Sequence, residues 1–122
     1  MGFREHLEEM VHSVDGAVAA SVMGFDGIAI DTVDVSANGT GDVDIQTMLV
    51  EYTNILSQLR QAAEVLESGK VTELSIGTEK LTTLARALTD EYFAVLAVAP
   101  EANLGKARYV LRINAPKIKA EL

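Results

Sequence analysis

Two histidines, His6 and His12, are the first residues that invite a chemical reading. They stand six positions apart on a predicted helix, so they face different directions and cannot converge on one proton or metal. Glu8 and His12, four apart, do share a face. Two ligands do not make a zinc site, and a surface ion pair is the plainer reading. Ser13, Ser21 and Ser57 have no histidine and acid set out to activate them. Asp31 and Asp34 lie close together near a loop, where a carboxylate pair is usually just solvated. The chain has no cysteine, hence no thiolate metal site and no disulfide, which fits a reducing compartment.

The segment Gly24-Phe25-Asp26-Gly27 resembles a phosphate-binding loop only in its glycines. A phosphate cradle needs a helix directly after it, with amide groups aimed at the anion. Here the strand-like run Ile28-Ala29-Ile30-Asp31-Thr32-Val33 follows, so the segment reads as a hairpin turn. No P-loop appears elsewhere. An arginine finger requires an exposed arginine on a mobile loop. The five arginines, Arg4, Arg60, Arg86, Arg108 and Arg112, all fall in predicted helices or strands. The sequence therefore predicts no catalytic residue, no metal and no cofactor, and a protein that is not an enzyme.

The elements that would position any site follow from length and pattern. At 122 residues the chain is expected to be one domain, 1–122, and 48% hydrophobic residues suffice for an ordinary core. Net charge is −8, which repels phosphate backbones, and no basic patch with interleaved aromatics argues for nucleic acid. No apolar run approaches the ~20 residues that span a bilayer, so membrane insertion is not expected. The opening MGFREHLEEM lacks an apolar signal core, and a cytoplasmic location is expected.

Residues 3–14 predict a helix with Phe3, Leu7, Met10, Val11 and Val14 on one face, stopped at Asp15-Gly16. Residues 17–23 and 28–33 predict two strands, the first buried on both faces. A polar loop, 34–42, leads to the most informative segment, 43–68. Its apolar positions Ile45, Met48, Leu49, Tyr52, Ile55, Leu56, Leu59, Ala62, Ala63 and Leu66 form an unbroken seven-residue repeat. Asp42 or Asp44 suits its start, and Gly69 suits a left-handed stop. Such a stripe serves equally for a helix covering one sheet and for one that also packs on its twin. Residues 70–76 alternate as a half-exposed strand, with Thr72, Leu74 and Ile76 on one face and Val71, Glu73 and Ser75 on the other. Residues 79–88 suit helix or strand, and Thr82-Thr83 with the preceding Gly77-Thr78 turn tilts them to strand. Residues 92–99 predict a buried strand ended by Pro100. Asn103 caps a last helix through 115, and Pro116 is expected to kink or end it. Hairpin-joined strands between helices indicate an antiparallel α+β sandwich.

This order, αββαβββα, together with GAVAASVMGFDGIAI and EANLGKARYVL, resembles the Roadblock/dynein light chain family, and within it the bacterial MglB-like branch. The family's D-G turn falls on Asp26-Gly27, and its N-L-G step on Asn103-Leu104-Gly105. The resemblance covers nearly the whole chain. It implies a roadblock-like fold, a five-stranded antiparallel sheet with the long central helix on one face and the two terminal helices on the other. It also implies a dimer, with central helices paired and the following strands joined into one sheet. On this chain Tyr52, Ile55, Leu56 and Leu59 of the helix, and Val71, Glu73 and Ser75 of the strand, are the expected dimer contacts. An unprotected edge at 70–76 would otherwise be a pairing liability, and Glu73 and Lys70 could match across a twofold axis. The resemblance further implies a small Ras-like GTPase as partner, bound by a scaffold or regulator concerned with cell polarity. The solvent side of the central helix, Glu51, Asn54, Gln58 and Gln61, is the candidate contact surface; its plainer reading is an ordinary solvated face. A small-molecule sensory domain is the alternative function, since sandwiches of this size often hold a ligand between sheet and helices.

Overall fold

The computed structural model describes residues 2–36 and 43–122. The elements run α1 (Phe3–Ser13), β1 (Ala17–Gly24), β2 (Ala29–Asp34), α2 (Ile45–Leu66), β3 (Glu73–Gly77), β4 (Thr82–Ala87), β5 (Tyr92–Val98) and α3 (Leu104–Ala120). This is the expected αββαβββα order. All strand pairs are antiparallel, in the spatial order β2-β1-β5-β4-β3.

The two-residue period of a strand divides the core. Along β5, Ala94, Leu96 and Val98 point to one face, where they meet Leu7, Met10 and Val11 of α1 and Leu111 and Ile118 of α3. Phe93, Val95 and Ala97 point to the other, where they meet Ile45, Met48, Leu49 and Leu56 of α2. The central strands β1 and β5 are therefore apolar on both sides, and the long helix stands alone on its face.

The Gly24–Gly27 segment is a hairpin turn. Gly24 N–H donates to the Ile28 carbonyl at 2.8 Å, and Gly27 N–H to the Gly24 carbonyl at 3.0 Å. Asp26 Oδ1 accepts from Ile28 N–H at 3.0 Å, and Gly27 takes φ +89°, open to glycine at no steric cost. Asp44 caps α2, its Oδ1 accepting from Gln46 N–H and Thr47 N–H at 3.0 and 3.3 Å. The alternative cap, Asp42, lies outside the described residues, as does most of the 34–42 loop.

Three expectations need correction. The left-handed stop of α2 is Glu67, at φ 55° and ψ 33°, not Gly69. Ser68 N–H reaches back to the Ala63 carbonyl and Glu67 N–H to that of Glu64, a Schellman closure completed before Gly69 is reached. The strand after it begins at Glu73, not residue 70, so the connection arches further before pairing starts. Finally, α3 runs through Pro116 to Ala120. Proline removes the N–H that would bond the Arg112 carbonyl. The fully buried Ile118 holds the last turn to the core.

Candidate functional site

Among the described residues no group of three His, Asp or Glu side chains is placed to hold a metal ion, and no helix is long and apolar enough to cross a membrane. All five arginines sit on α1, α2, β4 or α3. What the chain does present is the exposed far half of α2 and, against the first half at Tyr52 and Leu56, the edge strand β3.

The heptad stripe of α2 splits near Leu56. Before it, Ile45, Met48, Leu49, Thr53 and Leu56 itself are buried against the sheet. After it nothing on the helix is buried: Leu59 is 38% exposed, Val65 84% and Leu66 74%. Ile55, 44% exposed, joins them. Ile55, Leu59, Ala62 and Leu66 follow one another at spacings of four, three and four, so they form a single apolar strip on the flank of the helix.

The helix lifts away over a groove of ≈ 1160 Å³, walled by Ser57, Arg60 and Glu64 on one side and by Val71, Thr72 and Leu88 on the other. Arg60 is the strut across it. Its guanidinium lies 3.7 Å from the centre of the Phe25 ring, and Nη2 donates to the Asp90 carbonyl at 2.9 Å. Phe25 leans in turn on Phe93, ring centres 4.9 Å apart. One arginine thus fastens the middle of α2 to both hairpin turns of the central strands. Lys70 Nζ bonds Asp90 Oδ1 at 2.8 Å and ties down the connection that follows the helix. That partner holds the Asp90 carboxyl below its ordinary range, by the hydrogen bond first and the lysine charge second; Arg60 adds a smaller push the same way.

The residues expected from the sequence fall into four groups. Ile55, Leu59 and Ser75 are exposed, Tyr52 and Val71 are half-buried against the chain's own core under α2, and Ser75 sits within β3 opposite Leu84, on the face turned away from α2. Leu56 does not join them at the surface: it is 4% exposed and packs in the chain's own core. Glu73 has partners in its own chain, with Arg86, Arg108 and Arg112 at 3.8, 3.8 and 3.9 Å, as Lys70 has in Asp90. Glu51, Asn54, Gln58 and Gln61 are all exposed and form a polar strip alongside the apolar one. Sequence reading missed the Arg60 strut and the three arginines around Glu73. The strut left no local signal, since Phe25, Arg60 and Asp90 are far apart in the chain. Arg108 and Arg112, four apart on a helix, did announce a shared face.

A second space, between Leu49, Tyr52 and Leu56 of α2 and Leu74, Ile76 and Phe93 of the sheet, measures only ≈ 10 Å³. That is at most about one water.

No protein-family model and no curated protein matches the chain. Solved structures do. A Roadblock/LC7 domain from Streptomyces avermitilis superposes with a TM-score of 0.82 over 98% of this chain and 97% of that one, at 12% identity. MglB in a tetrameric arrangement gives 0.84 over 97% and 85%, at 17% identity. At such identities the likeness is one of fold. MglC from Myxococcus xanthus differs in kind: 50% of residues are identical over 100% of both chains, with a TM-score of 0.71. With that identity on that fold, the chain belongs to the Roadblock/LC7 family, in the bacterial branch of the MglB and MglC proteins.

Proposed function

We propose that this chain is a non-catalytic regulator that works as a dimer and docks a small Ras-like GTPase. One observation carries the reading: the apolar strip Ile55, Leu59, Ala62 and Leu66 lies outside the chain's own core, on a molecule whose sheet also ends in the unpaired edge of β3. An exposed apolar helix flank and an open strand edge each favour association, and this chain carries both, with Tyr52 and Leu56 of the same helix against Leu74 and Ile76 of the edge strand. A twin helix on that strip and a twin strand on that edge would cover both with one contact. The polar strip Glu51, Asn54, Gln58 and Gln61 then stays outside as the docking face. MglB occurs in a tetrameric arrangement, which supports self-association in this branch.

With no arginine on a loop among the described residues, any effect on hydrolysis would come from holding the GTPase's own switch segments. The sensory alternative needs an enclosed apolar cavity; the enclosed space beneath the first half of α2 is only ≈ 10 Å³, and the larger groove beneath the second half is open and crossed by Arg60, which weighs against it.

The test has two arms. Sedimentation at micromolar concentration is expected to show a dimer, and Leu59→Glu a folded monomer; a wild-type monomer overturns the assembly. Pull-down with a small GTPase loaded with GTP or GDP is expected to show state-dependent capture, weakened by Asn54→Lys with Gln58→Lys. Equal capture of both states, or none, overturns the docking face.

A further inference from the structure

Three of the five arginines converge on one carboxylate, on the sheet face opposite α2. Arg86 of β4 and Arg108 and Arg112 of α3 stand 3.8–3.9 Å from the Glu73 carboxylate oxygens. These are ion-pair distances, longer than hydrogen bonds. Three guanidinium forks bring roughly fifteen N–H donors, and one carboxylate can occupy only a few of them. The cluster also carries a local excess of two positive charges (three arginines less one glutamate) on a chain whose net charge is −8. Arg108 and Arg112 remain substantially exposed, at 40% and 56% of their side chains.

Beside this patch the outer face of α3 turns apolar. Tyr109 is 61% exposed and Ile113 39%, four residues apart and each next in sequence to one of the arginines. Pro116 lies one turn further along, also exposed. The exposed surface of α3 therefore has a basic flank and an apolar flank side by side.

We propose that this face of α3 docks an acidic peptide segment whose carboxylates fork onto Arg108 and Arg112 and whose apolar side chains lie on Tyr109 and Ile113. Arginine forks match carboxylates bidentately, and an amphipathic segment presents its charges and apolar groups at the same helical spacing. A short segment needs only the patch. α3 adds Lys106, Lys117 and Lys119 to the patch and has no acidic residue, but a nucleic acid would run its phosphates beyond this helix across a chain of net charge −8, so the overall charge balance favours the peptide. Glu73 is the resident competitor: it holds the arginines in place while the site is empty and gives way to stronger carboxylate contacts. The surface lies across the sheet from α2, so its failure is separable from failure of the GTPase reading.

The probe is a labelled peptide of repeating leucine and glutamate, about three helical turns long, read by fluorescence anisotropy against its glutamine counterpart. The acidic peptide is expected to bind and the glutamine peptide not. Arg108→Gln with Arg112→Gln is expected to weaken binding about tenfold or more, and Glu73→Gln to tighten it several-fold. These opposite signs separate an anion site from a merely structural cluster, which any of the three changes would loosen. Circular dichroism checks that each variant is folded. Equal affinity in all variants overturns the proposal, as does a stronger response to polyphosphate than to the acidic peptide. So does a change in self-association in the double arginine variant with peptide binding intact, which would hand the face to a second copy.

Discussion

Ile45–Leu56 and Ser57–Leu66 are two stretches of one helix with one repeating pattern, and their surroundings differ completely. The first drives five side chains into the sheet. The second buries none, and Arg60 ties it to Asp90 and Phe25. The heptad therefore says which flank of the helix is apolar and nothing about what covers it. Coverage depends on where the sheet ends beneath the helix, and that is set by strands distant in sequence.

The contrast has a direct test, and it carries the largest effect. Leu56→Ala should cost about 2–5 kcal/mol in chemical denaturation, because a fully enclosed side chain leaves a cavity behind. Leu66→Ala, in a side chain 74% exposed, should fall within about 0.5 kcal/mol in the dilute chain. Repeating the Leu66→Ala measurement at rising protein concentration sharpens the comparison. A cost that grows with concentration means that a second copy supplies the missing cover, since binding stabilises only the associated form. Equal costs for the two substitutions would erase the distinction between the halves.

Much of this was legible from the sequence because the signals were local. The β1–β2 turn was fixed by Gly24, Asp26 and Gly27, the start of α2 by Asp44, and the start of α3 by Asn103, whose Oδ1 accepts from Lys106 N–H. Element order and the double-sided burial of β1 and β5 followed from period and composition. Three things did not follow. Pro116 was overridden by tertiary burial of Ile118, which no local rule weighs. Leu56 and Leu59 look alike in the repeat, yet one faces the sheet and the other the solvent. Glu73 read as an exposed strand residue in need of a partner, and its partners came from β4 and α3, more than a dozen residues away.

The helix stop gives an intermediate effect. Glu67 holds a left-handed conformation that disfavours any side chain with a Cβ. Glu67→Gly should raise stability by about 0.5–1 kcal/mol in denaturant, keeping both backtracking hydrogen bonds. Gly69→Ala should do the reverse. No atom lies within 4 Å of the added methyl, but φ there is +90°. Together these substitutions ask whether the stop is set by the packing of α2 or by local chemistry. If Glu67→Gly destabilises, the glutamate side chain contributes more than its backbone costs.

The smallest effect concerns the tether between the lifted half of α2 and the β4–β5 turn. Lys70 and Asp90 are exposed at 82% and 70%, so their pair is screened and worth little at neutral pH. Its sign is nevertheless fixed. The Lys70 hydrogen bond and charge depress the folded Asp90 carboxyl below its unfolded value, with Arg60 a lesser cause. The unfolded chain therefore takes up a proton first as pH falls. The pair's contribution is fully present above the unfolded carboxyl's ordinary range and is lost as pH falls through the depressed folded value. Asp90→Asn should accordingly lower stability slightly at neutral pH, and the deficit relative to the unsubstituted chain should close toward the acid end. High salt should shrink the same deficit at neutral pH. The Arg60 hydrogen bond goes to the Asp90 carbonyl, not its carboxylate, so it survives the substitution. A large loss of stability in Asp90→Asn would therefore mean that the charge pair, rather than the arginine strut, holds the second half of α2 in place.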